Sequence, residues 1–449
     1  MIVNLRKIVL TIYDLIAGGM ISKNLNEIRQ VNFDLDAKQK IAYQQQQFSS
    51  LWKQVNQNVS YYKDQSETIT LHQLPVVNKN FINANFDLFL SSKYSRKKLK
   101  KVSTSGSTGV PFIIYHNKEK VKRQIADTLL FNEICGYNFG ERLVYLRIWN
   151  DINQLNFIQK LTKNILPINT LHLSSESTQS IIDEIEKSGN TVSILSYASS
   201  LELLSQNLER MRVTSIKGKI SCIITMAEAL PIQTKRNLEQ VFDCPVYSRY
   251  SNSENGFIAH QIPGYGENYF INNASFIVEI LDINDDIPVD DGKMGRIVVT
   301  DLFNDAVPLI RYDTGDIGVR NTIKILGKDV SVIEKIEGRK LDFICDTAGK
   351  LLSPHAVDYG LRTIEEIKQF QLIQLSEFDY KLKLNAKPDT DLKKSAALAE
   401  KGVKAFLGDE AKIEIEFVEE IPLLLSGKRR IVVNEWKKEK ERNQTDNVQ

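Results

Sequence analysis

At 449 residues the chain is too long for one small domain, and its 42% hydrophobic and 25% charged residues are enough to build an ordinary buried core. A net charge of +2 provides no basic field to recruit nucleic acid, and no RNA- or DNA-binding signature is present. Cys135, Cys222, Cys244 and Cys345 are scattered and form no CxxC pair, which argues against a zinc knuckle and for buried thiols in a reducing, cytoplasmic setting.

The opening stretch, Met1 to Gly19, reads as an amphipathic helix. Asp14 interrupts its apolar run, which is too short to span a bilayer, so the helix either packs on the body or makes peripheral contact with a membrane. No later segment has transmembrane length. Residues 1 to about 100 have mainly helical periodicity, broken at Leu74-Pro75. The basic run Arg96 to Lys101 fits a solvated face, with attraction of ATP, an anionic glycan or a membrane as the alternative. Lys101-Val-Ser-Thr-Ser-Gly-Ser-Thr-Gly-Val-Pro-Phe112 follows. Its glycines allow close backbone approach, and its hydroxyls and N–H groups suit phosphate oxygens. The Gly-Lys-Ser/Thr ending of a Walker A loop is missing, and by itself the run could equally be a Ser/Gly surface loop.

Short apolar runs then alternate with helix-period segments. Arg142–Arg147, Thr191–Ser196 and Lys219–Thr225 read as strands, and Thr178–Lys187 and Pro231–Phe242 as helices. This alternation predicts an α/β fold with a mostly parallel sheet. From Tyr269 to Val319 the pattern is β-rich, with strands at Phe276–Leu281 and Gly295–Thr300, and predicts a β subdomain. Residues 340 to about 437 read as a smaller α+β module. Its strands fall at Phe370–Leu375, Tyr380–Leu384 and Lys412–Phe417, its helices near His355–Thr363 and Thr390–Phe406, and a charged tail follows from Lys437.

Five segments in order carry a resemblance. They are the glycine loop Ser103–Pro111, Tyr250-Ser-Asn-Ser-Glu254, Thr300 to Asp316, Gly338-Arg-Lys-Leu-Asp342, and Pro422-Leu-Leu-Leu-Ser-Gly-Lys428. Together they resemble the adenylate-forming enzymes: acyl-CoA synthetases, luciferases and peptide-synthetase adenylation domains. Ala306-Val-Pro-Leu-Ile-Arg-Tyr312, with Tyr61-Tyr-Lys63 and Leu74 to Lys79 upstream, is most similar to the phenylacetate–CoA ligase branch, which includes CapK-like proteins of surface-polysaccharide gene clusters.

The resemblance implies an N-terminal adenylation domain over residues 1–338 and a small mobile α+β lid domain over 339–449. It implies ATP and Mg²⁺ as cofactors. Thr104, Ser105, Gly106, Ser107, Thr108 and Gly109 would cradle the β- and γ-phosphates, and Glu254 would hold Mg²⁺. Tyr250 would flank the adenine, with Ser253 where relatives often have threonine; Ser251 replaces a usual glycine. Asp316 would accept both ribose hydroxyls, and Arg339 would contact ribose or phosphate. Glu228, in Ala227-Glu-Ala-Leu, sits where relatives often show Gly-Glu, with a helix N-terminal carboxylate as the alternative. Arg311 is either structural or near the nucleotide. Lys428 would stabilise charge between the carboxylate and the α-phosphate. Leu341 departs from the family's Asp-Asp hinge, which bears on the second half-reaction. The five histidines form no metal-binding spacing, and His260 fits either the acyl pocket or the core.

The implied activity is conversion of a small carboxylic acid to an acyl-adenylate, then acyl transfer to coenzyme A. A glycan acceptor in capsule or exopolysaccharide assembly is the alternative, and a non-catalytic nucleotide-binding scaffold is another. Relatives are often homodimers. The sequence does not name the acid.

Overall fold

A computed structural model describes the chain except residues 1–4, 64, 104–111, 148, 150–154, 171–172, 228, 326, 340–343, 350, 353–356, 358–360, 362–363, 365, 388–389, 423–429 and 437–449; residues 157, 338, 339 and 351 are described as backbone only. The chain divides into two compact units. One comprises Met1–Thr314 and Gly318–Ile336, the other Gly315–Ile317 and Glu337–Gln449.

The first unit opens with helices Leu5–Ile16, Met20–Arg29 and Ala37–Asn58, the last started by a capping box in which Asp36 accepts from the Gln39 amide. Beyond Asn58 the predicted helical character fades into single helical turns. There the rings of Tyr61, Tyr62, Phe81 and Phe89 pack edge-to-face and stacked, so aromatic contacts organise the segment where helix period does not. On the N-terminal helix Leu5, Val9, Ile12, Leu15 and Ile16 stay exposed, while Asp14 is buried and accepts from the amides of Ile21 and Ser22. No single helix among the described residues is long and apolar enough to cross a membrane.

A sheet of 12 strands forms the frame. Ile165–Asn169, Arg142–Arg147, Val192–Tyr197, Ile220–Met226 and Val246–Asn252 lie side by side and all parallel. The strands read from sequence thus reappear within about a residue of their expected ends. Alternate residues serve opposite faces. Val144 and Leu146 pack with Ile181, Leu201, Leu238 and Phe242 of the helices on one side. Leu143 and Tyr145 face the helices Met20–Arg29 and Lys118–Ile134, with Ile28, Leu130 and Phe131, on the other. Burial on both faces is why these strands are nearly continuous apolar runs. Each fully buried Ile or Leu contributes roughly 1.5–3 kcal/mol.

The β-rich stretch continues this sheet. Gly256–Gln261 turns antiparallel onto Val246–Asn252, and Tyr269–Ile271, Lys328–Arg339, Tyr312–Ile325, Met294–Asp301 and Phe276–Leu281 follow in spatial order. An ion pair sealed from solvent, Lys120 Nζ to Asp301 Oδ2 at 2.6 Å, ties the helix Lys118–Ile134 to this antiparallel half.

The second unit holds a four-stranded sheet in the order Lys412–Phe417, Asp379–Ala386, Ile367–Gln374 and Val432–Asn434. Ala399, Val403 and Leu407 of the helix Leu392–Leu407 share its core with Leu372, Leu382 and Leu384. The helix expected near 355–363 falls largely outside the described residues. All four cysteines are buried and unpaired.

Candidate active site

The site grows from the carboxyl end of the last parallel strand, Val246–Asn252, where open α/β sheets place ligands. Asn252 closes an Asx-turn, its Oδ1 accepting from the Asn255 amide at 2.7 Å. Gly256, at φ +94°, then reverses the chain; a Cβ there would lie 2.7 Å from Gln124 Nε2. The turn so formed carries Glu254, which is buried. Its backbone is pinned from outside: His116 Nε2 lies 2.9 Å from the Glu254 carbonyl, and Gln124 Nε2 donates to the Asn255 carbonyl at 3.2 Å.

Tyr312 holds the turn from the other side. Its hydroxyl donates to Glu254 Oε1 at 2.9 Å, and its ring stacks on Phe112 at 6.2 Å. Phe112 directly follows the glycine loop. The antiparallel strands Lys100–Ser103 and Ile113–His116 frame that loop, with Ser103 opposite Ile113. Tyr312 therefore brings together three of the sequence motifs: the exit of the glycine loop, the Glu254 turn and the Thr300–Asp316 segment. It lay inside a recognised motif without a role, because its role depends on Phe112 and Glu254, both distant in sequence.

Tyr250 is buried, and its hydroxyl donates to Thr314 Oγ1 at 3.3 Å. Ser253 is exposed on the turn. Beyond Thr314, Gly315 takes φ +79° and bends the strand just before half-buried Asp316. Arg339 ends the strand Lys328–Arg339. Ala227 adopts φ +73° at the carboxyl end of the strand Ile220–Met226, a conformation that is strained for a residue with a Cβ. Residues 104–109, Glu228 and Lys428 lie outside the described residues.

Two open readings close in favour of structure. Arg311 is buried and bonded to Glu279 and to main-chain carbonyls, so it is a fastener. His260 is in the core, stacked on Phe257 at 5.1 Å and lying 3.7 Å from Cys135 Sγ. The run Arg96 to Lys101 is solvated, apart from half-buried Leu99.

Burial, reinforced by the Lys120 ammonium, pulls His116 down to about 4, so it is neutral in the folded protein at pH 7. An unfolded chain would protonate it near 6.5. Its contribution is therefore complete above pH 6.5 and lost as pH falls toward 4, about 3 kcal/mol in all. Urea midpoints at pH 7 and pH 4.5 should show a steeper loss for the wild type than for His116→Gln; equal slopes would remove His116 from the account.

Residues 344–435 match the family model described as the CapK C-terminal domain. Over 420 residues the chain is 26% identical to Protein CapK of Staphylococcus aureus, covering 88% of this chain and 89% of that one. A 2-hydroxyisobutyryl-CoA ligase, solved in the postadenylation state with an acyl-AMP, superposes with a TM-score of 0.70 at 13% identity, covering 94% of each chain. ATP-bound MatB from Rhodopseudomonas palustris superposes with a TM-score of 0.55 at 15% identity, over 80% of this chain and 70% of that one.

Proposed function

Given that the chain has the adenylate-forming ligase fold and carries a CapK C-terminal domain, we propose that it activates a carboxylic acid with ATP and then transfers the acyl group. In the first step a carboxylate oxygen attacks the α-phosphorus of ATP. The bond to the β-phosphate bridging oxygen breaks, and pyrophosphate leaves with the electron pair. In the second step a nucleophile attacks the acyl carbon and AMP departs. Coenzyme A is the default acceptor. A sugar acceptor in surface-polysaccharide assembly, which the sequence resemblance to CapK-like proteins implies, is the second reading.

The observation that carries the proposal is the meeting at Tyr312 of Phe112, from the end of the glycine loop, and Glu254. Two approaching anions require hydrogen-bond donors and positive charge, which the glycine loop and a cation held by Glu254 would supply. Glu254 offers hard carboxylate oxygen of the kind Mg²⁺ takes alongside phosphate oxygens, and the ion would neutralise charge on the departing pyrophosphate. Within this reading residues 104–109 hold the β- and γ-phosphates, Tyr250 borders the adenine, Asp316 and Arg339 orient the ribose, and Lys428 bridges carboxylate and α-phosphate. Glu228 borders the nucleotide, and the C-terminal domain from residue 339 acts as the lid.

The test is pyrophosphate release with Mg-ATP and a panel of aryl, fatty and hydroxy acids, with and without coenzyme A. Release with one acid, followed by a thioester when coenzyme A is added, is the expected result. Release that ignores coenzyme A moves the acceptor to a sugar. ATP binding without release for any acid would favour a scaffold, or an acid outside the panel.

A further inference from the structure

Among the described residues the buried arginines each have a carboxylate: Arg123 pairs with Glu27, Arg296 with Asp286 and Asp313, and Arg311 with Glu279. Arg147 and Arg249 do not. Each is half-buried with its Nε sealed from solvent and unbonded, and neither has an ion-pair partner among the described residues. Among the described residues Arg249 makes one hydrogen bond, from Nη2 to the Met226 sulfur at 2.8 Å.

Both arginines belong to one surface. Arg249 stands opposite Met226, and Met226 opposite Tyr197, across neighbouring parallel strands. Residues opposed in this way project on the same face. Arg147 ends the next strand, its guanidinium 6.0 Å from the Tyr197 ring, 5.6 Å from Tyr145 and 5.2 Å from Trp149. Arg249 lies 5.2 Å from the Phe257 ring. The face is the one covered by the helix Lys118–Ile134, and the row sits at the carboxyl ends of the strands, with Arg249 only a few residues before the Glu254 turn. Directly across the antiparallel pair, His260 is fully buried with Nε2 unbonded; burial holds it near 3, so it adds a neutral polar atom and no charge.

The aromatic rings do not balance these cations. A cation–π contact supplies roughly 0.5–2 kcal/mol. Even partial withdrawal of a guanidinium from water is unfavourable when no counter-charge stands beside it. Two half-buried guanidiniums, each with its Nε sealed and unbonded, facing one aromatic-lined surface without a counter-charge are the complement of a bound anion.

We infer that Arg147 and Arg249 bind a second anionic group on the acid, remote from the carboxylate that is activated. The substrate class is then an acid with an anionic tail, carboxylate or phosphonate, and not a plain fatty or aryl acid. This rests on the adenylation reading and narrows it. The aromatic walls accept the carbon chain between the two charges, and the arginines fix which end reaches the Glu254 turn.

The experiment compares succinate, adipate and 3-phosphonopropionate with butyrate and hexanoate in pyrophosphate release, for wild type, Arg249→Met and Arg147→Met. Methionine keeps length and apolar contact, and a thermal melt checks each fold. Wild type should prefer an anionic-tailed acid by at least about 30-fold in kcat/KM, the low end for a buried charge pair. Each variant should lose that preference and gain relative activity on the neutral-tailed acid, with Arg249→Lys restoring part of it. The better of the two diacids reports the length of the site, and the phosphonate arm separates carboxylate from phosphonate tails. Wild type that favours butyrate or hexanoate, or a ranking unchanged in both variants, overturns the inference and leaves adenylation standing. If no acid is turned over, adenylation fails, and calorimetric binding of the same diacids decides the subsite alone. Binding lost in Arg249→Met upholds it, and no binding to wild type overturns it.

Discussion

Lys428→Ala should cut pyrophosphate release by about 10²–10³-fold, the usual loss when one preorganised donor to developing charge is removed. ATP binding should be left almost intact. Lys428 follows Gly427 in Pro422-Leu-Leu-Leu-Ser-Gly-Lys428, within the span matched by the CapK C-terminal domain. The reaction brings a carboxylate against a triphosphate, so the most costly charge arises between the two, late on the path. An ammonium on a flexible stem can serve that point without holding the ground state. Loss of such an interaction lowers kcat and kcat/KM together and leaves KM for ATP unchanged. Lys428→Arg should recover little, because a planar fork does not occupy the place of a point charge. Arg429→Ala is the control for the neighbouring basic run and should be nearly silent. Undiminished release in Lys428→Ala would remove this lysine from the chemistry. Loss of ATP binding in step with release would make it a ground-state contact.

The physical reasons why some of this was legible in sequence and some was not are local. Phe276–Leu281 and Lys412–Phe417 are legible to the residue, the first as a short, mainly apolar β-branched run and the second as an alternating one. The helix expected from Thr178 starts at Ser175, because Ser174 caps it through the Ser177 amide, a side-chain contact that apolar periodicity does not register. The β-rich stretch was visible as strands. Its continuity with the parallel half was not, since nothing in Gly256–Gln261 announces that it pairs with Val246–Asn252. The candidate site was legible as motifs and illegible as geometry. Glu254 could be named, but the clamp of Tyr312, His116 and Gln124 around its turn exists only once distant segments meet. Arg249 is adjacent to the recognised Tyr250 and was passed over. A cation's lack of a counter-charge is a property of the fold.

Arg311 shows the same limit, and it sets the largest stability effect expected. A guanidinium serves a phosphate or a carboxylate equally well, so its sequence position left both roles open. In the fold its Nε and Nη2 each reach a Glu279 oxygen at 3.2 Å, and Nη1 donates to the Leu74 carbonyl at 2.8 Å. The backbone is equally committed. Arg311 sits at φ +46°, donates its amide to Thr300 Oγ1 at 2.9 Å and accepts from the Val77 amide at 3.1 Å. The side chain thus ties the Leu74–Val77 segment to the strands that present Tyr312. Arg311→Met would strand the buried Glu279 carboxylate. Removing one partner of a buried pair costs about 3–5 kcal/mol, to be read as a lower urea midpoint. Arg311→Lys should recover only part, because one ammonium cannot span both carboxylate oxygens. Replacing both partners, Arg311→Met with Glu279→Leu, should recover much of the loss, because the penalty lies in the orphaned charge and much less in the absent attraction. A single variant within 1 kcal/mol of wild type, or a double variant no better than the single, would refute the fastener role. The carbonyl contacts to the Leu74 segment would then carry the attachment alone.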